Sequence, residues 1–170
     1  MKDTLRVLIS WVCNLRCAYC CNKNPRFREN ILPVDFENVQ WEGYNNFCIT
    51  GGEPLLRMDL VEKVCRRLPK GKTVILYTNG LLLTPLNAKH IESLGVQYVN
   101  VGLHIPTSFK QLIPSVLEAT RETKLGVRFH AQDIYKDWLT SEFPGVSFRF
   151  WKMNNCDREN EDRIVLKETP

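Results

Sequence analysis

Short apolar segments rich in β-branched and aromatic residues alternate along the chain with stretches whose apolar residues recur at helical spacing. The first pattern is typical of strands, and the second of helices that bury one face. The predicted strands are residues 5–12, 46–50, 73–78, 96–104, 127–133 and 146–153. Because strands and helices alternate strictly, we expect right-handed crossovers and a parallel six-stranded sheet, in other words an α/β fold.

Helices are predicted between these strands. Residues 34–44 should form a short helix with Pro33 near its first turn, and residues 59–68 carry an apolar face. Thr84 is suited to cap a helix that begins at Pro85 and ends before Gly95. Pro114 should kink a helix over residues 107–124 or delay its start, and residues 135–141 should form a single turn.

The length of the chain limits its organisation. A chain of 170 residues can bury one core but is short of the about 250 residues typical of an eight-stranded β/α barrel. We therefore expect one domain over residues 1–153, built as a partial (β/α)6 barrel, followed by a polar C-terminal tail over residues 154–170.

Composition and charge exclude only a few classes of function. The formal net charge is +4, without a concentrated basic stripe, so there is no clear nucleic-acid signal. We see neither an apolar run of membrane-spanning length nor a signal peptide, which predicts a cytoplasmic protein with no membrane partner.

Polar residues share one face on each of three neighbouring predicted strands. Parallel strands that are buried on both faces usually read as continuous apolar runs, so these residues predict a wet cavity, although local hydrogen bonding at strand ends is an alternative. The residues are Asn100, Gly102 and His104 on one strand, Arg128, His130 and Gln132 on the next, and Arg149 and Trp151 on the last.

Three cysteines crowd into the loop after the first strand, at Cys13, Cys17 and Cys20. Three thiolates on one loop can bind three corners of a four-iron cluster and leave the fourth iron open for chemistry. A structural zinc site would need a fourth ligand, for which adjacent Cys21 is poorly placed, and a redox dithiol would leave Cys13 unexplained. Both alternatives remain open at this point, with the cluster favoured.

The C-x3-C-x2-C spacing, with Tyr19 before the last cysteine, resembles the signature of the radical S-adenosylmethionine (radical SAM) superfamily. Three further segments match that family in the same order: GGEP at residues 51–54, TNG at residues 78–80 and GLH at residues 102–104. Each lies at the carboxyl end of a predicted strand, where β/α barrels place their active sites. The resemblance covers roughly residues 5–153 and implies a radical SAM fold.

The resemblance also implies roles for individual residues. Cys13, Cys17 and Cys20 would bind a [4Fe–4S] cluster, and S-adenosyl-L-methionine would bind over its open iron. Predicted contacts of that cofactor are Tyr19 for the adenine, the group Gly51, Gly52, Glu53 and Pro54 for the methionyl amino group, and Thr78, Asn79 and His104. Residues proposed for the substrate side, without an assigned catalytic role, are His104, His130, Arg128, Gln132, Arg149 and Trp151.

The activity implied is that of an oxidoreductase-type radical SAM enzyme. An external one-electron reductant, flavodoxin- or ferredoxin-like, would allow reductive cleavage of S-adenosylmethionine to a 5′-deoxyadenosyl radical that takes hydrogen from a substrate. The substrate is unidentified and could be macromolecular, with a slight preference for a modifying or biosynthetic enzyme. A glycyl-radical activase and a non-catalytic iron–sulfur binding or electron-transfer module remain the alternatives.

Overall fold

The computed structural model describes residues 2–152 and 161–167. Its centre is a parallel sheet in the order β2-β8-β1-β3-β4-β5-β6-β7. The eight strands are β1 Thr4–Leu8, β2 Leu32–Val34, β3 Asn46–Thr50, β4 Thr73–Thr78, β5 Tyr98–Gly102, β6 Gly126–Gln132, β7 Phe148–Trp151 and β8 Glu161–Leu166. The predicted α/β class and parallel sheet are confirmed, with eight strands in place of six.

In the part of the chain that the structure describes, five α-helices connect these strands, together with short 3₁₀ turns at Cys21–Lys23, Phe36–Asn38, Pro54–Arg57, Pro106–Ser108 and Asp133–Tyr135. The helices are α1 Pro25–Glu29, α2 Met58–Arg67, α3 Pro85–Ser93, α4 Phe109–Thr120 and α5 Lys136–Glu142. The Thr84 side chain accepts a hydrogen bond from Asn87 N at 3.2 Å, which is the predicted cap of α3.

The two faces of the sheet have different chemistry. On the helix-covered face, alternate strand residues such as Val7, Leu76 and Phe129 are fully buried in one hydrophobic core with α2, α3 and α4. The intervening residues of the same strands face a cavity, so that β1 presents Arg6 and β5 presents Asn100. The period-2 alternation of strand side chains therefore separates an apolar core from a polar cavity.

The prediction of a helix over residues 34–44 is wrong. Pro33 lies inside β2, an edge strand that tolerates a residue without an N–H, and only the turn Phe36–Asn38 is helical. Packing stabilises the rest of the segment, since the ring of buried Trp41 lies 5.7 Å from Phe36 and 6.3 Å from Phe47, centroid to centroid.

The end of the chain also differs from the expected polar tail. Strand β8 pairs with β1 on one side and β2 on the other, so residues 161–166 belong to the sheet. Its apolar residues Ile164 and Leu166 join the main core. Met153, Cys156 and the rest of residues 153–160 lie outside the described residues.

Two later helices depart from prediction in detail. Helix α4 starts at Phe109 and continues through Pro114, so the proline does not delay its start. Residues 136–142 form a seven-residue helix where a single turn was expected. Among the helices described, α4 is the longest with 12 residues, and none has the length and apolar character that crossing a membrane would need.

Candidate functional site

A cavity of about 820 Å³ opens where the strands end and the cysteine loop begins. Its position agrees with the usual placement of ligand sites at the carboxyl ends of parallel strands. Its wall includes predicted site residues from six segments of the chain: Cys17, Tyr19, Cys20, Gly51, Gly52, Thr78, Asn79, Asn100, Gly102, His104, His130 and Trp151.

The cysteine loop lies at the rim of this cavity. Cys13 is exposed, Cys17 and Cys20 are half-buried, and all three carry free thiols. Burial raises the pKa of the Cys17 thiol, and the nearby Cys20 and Cys13 thiols raise it further. The three thiols lie on one short loop, and this donor set fits three corners of a four-iron cluster.

Two further observations bear on metal binding. Within the described ranges no three His, Cys, Asp or Glu side chains converge on one point as ligands of a single ion. The thiolates of a cubane bind three different irons, so they do not need to meet at one point. Adjacent Cys21 is disulfide-bonded, which removes it as a fourth thiolate ligand.

Hydrogen bonds connect the loop to the strand ends around it. The Tyr19 hydroxyl donates to the His104 carbonyl oxygen at 2.9 Å, and Asn22 Nδ2 donates to the Gly51 carbonyl oxygen at 2.6 Å. Lys23 Nζ donates to the Cys17 carbonyl oxygen at 2.9 Å, within the loop itself. The cysteine loop is therefore tied to both the GGEP and the GLH segments.

Close backbone packing explains the two glycines of GGEP. Gly52 N donates to the Ser10 carbonyl oxygen and Glu53 N to the Val12 carbonyl oxygen, both at 2.7 Å. A Cβ at Gly52 would lie 1.9 Å from the Val12 oxygen, and one at Gly51, where φ is +142°, would lie 2.3 Å from the Ser10 oxygen. The glycines thus let the chain lie directly against the entry to the cysteine loop.

Glu53 occupies a different place from the predicted one. Its side chain is 1% exposed and, like Pro54, does not line the cavity. Oε1 accepts hydrogen bonds from Leu55 N at 3.0 Å and Thr78 Oγ1 at 2.7 Å, and Oε2 accepts one from Asn79 N at 2.7 Å. Burial raises the pKa of this carboxyl, while those hydrogen bonds act in the opposite direction.

An aromatic group covers one side of the cavity. The Tyr19 ring lies 5.9 Å from the His104 ring and 5.6 Å from the Trp151 ring, centroid to centroid. Burial lowers the pKa of His104, so its imidazole is neutral at neutral pH. Gly102 makes room for that ring, because a Cβ there would lie 2.3 Å from His104 Nε2.

Sequence reasoning missed the charged floor of the cavity. Arg6 and Glu161 form a buried bidentate ion pair, with Nε–Oε1 at 3.0 Å and Nη2–Oε2 at 2.9 Å. Arg163 Nε lies 3.7 Å from Glu161 Oε1, and the Arg6 guanidinium lies 4.5 Å from the centroid of the Tyr77 ring. A polar residue between Leu5 and Val7 in an otherwise apolar strand was the available signal for Arg6.

Three predicted cavity residues lie elsewhere. Arg128 and Arg149 are exposed and are not among the lining residues. Gln132 is buried outside the lining and hydrogen-bonds Tyr19. The polar faces of β5, β6 and β7 thus contribute Asn100, Gly102, His130 and Trp151 to the lining, with His104 just after β5.

The structure is thus an α/β protein whose cysteine loop and cavity lie at the carboxyl end of its parallel sheet. The Radical SAM superfamily model matches residues 7–132, which is more than half of the chain, and the chain belongs to this superfamily. Members of the superfamily use a [4Fe–4S] cluster and S-adenosylmethionine.

Relatives with curated names give a more specific likeness. The chain is 37% identical over 135 residues to a GTP 3′,8-cyclase of Helicobacter pylori (strain ATCC 700392 / 26695), covering 74% of this chain and 42% of that protein. It is 35% identical over 144 residues to the enzyme of that name from Aliarcobacter butzleri (strain RM4018), covering 74% and 44%. It is 40% identical over 113 residues to the GTP 3′,8-cyclase of Lactiplantibacillus plantarum (strain ATCC BAA-793 / NCIMB 8826 / WCFS1), covering 61% of this chain and 34% of that protein. The chain therefore spans less than half the length of these relatives.

Proposed function

We propose that this chain is a radical SAM enzyme that takes a hydrogen atom from a small anionic substrate held in the cavity. The observation that carries the proposal is a set of three free thiols on one loop, of which Cys17 and Cys20 line the cavity together with Gly51 and Gly52. When bound, the cluster and S-adenosylmethionine supply the reductive cleavage that yields methionine and a 5′-deoxyadenosyl radical.

The residues of the chain have positioning and shielding roles in this proposal. Cys13, Cys17 and Cys20 hold the cluster, and Gly51 and Gly52 offer backbone to the amino group of S-adenosylmethionine. The ring of Tyr19 covers the adenine side, with His104 and Trp151 packed on it to exclude water. Because His104 is neutral, it can offer a hydrogen bond to this bound cofactor without adding a charge.

Thr78 and Asn79 complete the proposed cofactor side. Both are buried at the end of β4, and both line the cavity. Glu53 contributes indirectly, because its two oxygens bind Thr78 Oγ1 and Asn79 N and so fix the end of β4. The predicted contact of Glu53 with the methionyl amino group is replaced here by a supporting role.

The charge of the cavity favours an anionic substrate. Among the described lining residues there are four bases, Arg6, Lys23, Arg26 and Arg163, and one acid, Glu161. An excess of positive charge in a low-dielectric cavity attracts phosphate and carboxylate groups. The relatives are named for GTP, a phosphate-bearing substrate, so GTP is the first molecule to test.

The remaining parts of the proposal concern partners. An external one-electron reductant of the flavodoxin or ferredoxin type would supply the electron in the cytoplasm. A glycyl-radical activase would need a partner enzyme in place of a small substrate, and an electron-transfer module would hold a cluster without cleaving S-adenosylmethionine. Both alternatives are outcomes of the experiment below.

The test is anaerobic reconstitution with iron and sulfide, followed by dithionite, S-adenosylmethionine and an assay of 5′-deoxyadenosine. We expect cluster-dependent 5′-deoxyadenosine from the wild type, its loss in Cys17→Ala, and retention in Cys65→Ala, which removes a buried thiol on α2 away from the loop. GTP should raise product formation several-fold if it is the substrate.

The controls separate the alternatives. A four-iron cluster that never cleaves S-adenosylmethionine, with or without GTP, would favour the electron-transfer module. Cleavage that responds to a partner enzyme and not to small anions would favour the activase. A wild-type protein that binds zinc and no cluster would overturn the proposal.

A further inference from the structure

A hydrogen bond joins the cysteine loop to the end of β4. Asn79 Nδ2 donates to Asn14 Oδ1 at 2.7 Å, across a sequence separation of 65 residues. Asn14 directly follows Cys13, the first thiol of the loop, and is an exposed residue. Asn79 is 5% exposed, so one partner belongs to the rigid sheet and the other to the loop.

The orientation of Asn79 is fixed by its surroundings. Its backbone N–H donates to Glu53 Oε2 at 2.7 Å, and its own Oδ1 accepts from Leu81 N at 3.0 Å. With the amide oxygen engaged by Leu81, the amide nitrogen is the end that faces Asn14. The contact therefore needs an acceptor at position 14, which Asn14 supplies with its oxygen.

This contact complements the other anchors of the loop. Tyr19 and Asn22 hold the half that contains Cys20, through His104 and Gly51. The half that contains Cys13 is held at its entry, where the Val12 carbonyl oxygen accepts from Glu53 N at 2.7 Å, and beyond Val12 it has a local hydrogen bond from Leu15 N to Cys13 Sγ at 3.4 Å, which does not reach the sheet. Asn14 is thus placed to hold the first cysteine relative to the other two.

We propose that the Asn14–Asn79 hydrogen bond is a positioning device that orders the Cys13 half of the loop before the cluster binds. Ordering a loop in advance removes part of the entropy loss that binding would otherwise require. The link to cluster retention rests on the function proposed above, whereas the anchoring of the loop can be measured in the apoprotein.

A matched set of variants isolates the contact. Asn14→Ala removes the acceptor, while Asn14→Asp keeps it and leaves Asn79 Nδ2 a partner. Asn79→Asp still accepts from Leu81 N, and the Asn14 amide can turn over to donate to the new carboxylate. The double variant Asn14→Asp/Asn79→Asp places two carboxylates against each other, so it should lose the contact although neither single variant does.

The first readout is hydrogen–deuterium exchange of residues 13–20 in the apoprotein, with residues 98–102 of β5 as an internal control for folding. We expect exchange in the loop to increase about fivefold in Asn14→Ala and in the double variant, the factor given by the loss of a hydrogen bond worth about 1 kcal/mol. Asn14→Asp and Asn79→Asp should resemble the wild type.

The second readout is the rate of iron release from the reconstituted protein to a ferrous chelator. We expect faster release in the same two variants. Unchanged loop exchange in Asn14→Ala, equal effects of Asn14→Ala and Asn14→Asp, or additive behaviour of the double variant would overturn the proposal. If the wild type holds no cluster, the proposed function fails, and the exchange data still decide whether the anchor exists.

Discussion

Glu53 illustrates how a residue inside a recognisable motif can act through its neighbours. Its carboxylate is buried beneath the cavity and accepts three hydrogen bonds, from Leu55, Thr78 and Asn79. Two of those partners line the cavity, so the geometry of the site at the end of β4 depends on a side chain that does not reach it. Such a group supports a site by fixing the residues that touch the ligand.

Replacing Glu53 by Gln tests this role at the scale of one residue. The amide cannot accept from all three donors, so a buried donor such as Asn79 N would face an NH₂ group. We expect Glu53→Gln to lower the free energy of unfolding by about 2 kcal/mol, as measured by urea denaturation.

The matched control for that substitution is Glu42→Gln, which changes an exposed carboxylate. It should leave the unfolding midpoint unchanged. If Glu53→Gln behaved like the control, the three hydrogen bonds would not contribute to stability, and the supporting role of Glu53 would be wrong.

At the scale of elements, six of the eight described strands were predicted from their apolar residues, whereas β2 and β8 were not. Strands β3 and β4 were predicted with their observed bounds, because hydrophobic residues dominate both. Strand β8 was missed because Glu161 and Arg163 point into a polar cavity and break the apolar pattern. Strand β2 was missed because Pro33 favoured the start of a helix, whereas an edge strand also accepts proline.

In the site, residues that belong to local motifs were predictable, whereas residues that meet through long-range contacts were not. The loop cysteines and the residues at strand ends carry motifs that can be read along the chain, and the structure places most of them around one cavity. Arg6 and Glu161 meet across a sequence separation of 155 residues, so neither one identifies its partner from sequence. The position of Arg128 was predicted from its face of β6, but its place along that strand leaves it exposed.

The pairing of β1 with β8 gives a prediction about the buried ion pair. Arg6→Met removes one member and leaves the Glu161 carboxylate buried without its bidentate partner, while Arg163 Nε still lies 3.7 Å from Glu161 Oε1. Breaking a buried pair from one side is strongly destabilising, so we expect a loss of about 3 kcal/mol in the free energy of unfolding.

The control is a second ion pair, between Lys2, which precedes β1, and Asp162 of β8. Lys2 and Asp162 lie 3.2 Å apart with side chains 46% and 43% exposed, and Lys2→Met should cost less than about 1 kcal/mol because solvent screens such pairs. Both free energies of unfolding are measured by urea denaturation of the apoprotein. If the two variants lost the same amount, the buried Arg6–Glu161 pair would contribute no more to stability than the exposed Lys2–Asp162 pair.

For the whole molecule, the described C-terminal residues complete both the sheet and the cavity. Strand β8 pairs in register with all five residues of β1 and is the partner of β2 in the sheet. It also supplies Glu161 and Arg163 to the cavity floor. The end of the chain is therefore joined to the segment that leads directly into the cysteine loop.

A chain ending at Lys152 should consequently lose its cooperative unfolding transition. The truncation exposes the length of β1, leaves Arg6 without Glu161, and removes Ile164 and Leu166 from the core. A chain ending at Lys167 retains β8 and is the matched control, with the unfolding midpoint of the full chain. Urea denaturation followed by circular dichroism distinguishes them. If the chain ending at Lys152 unfolded cooperatively at the same midpoint, the domain would be stable without β8. The predicted domain boundary near residue 153 would then be correct.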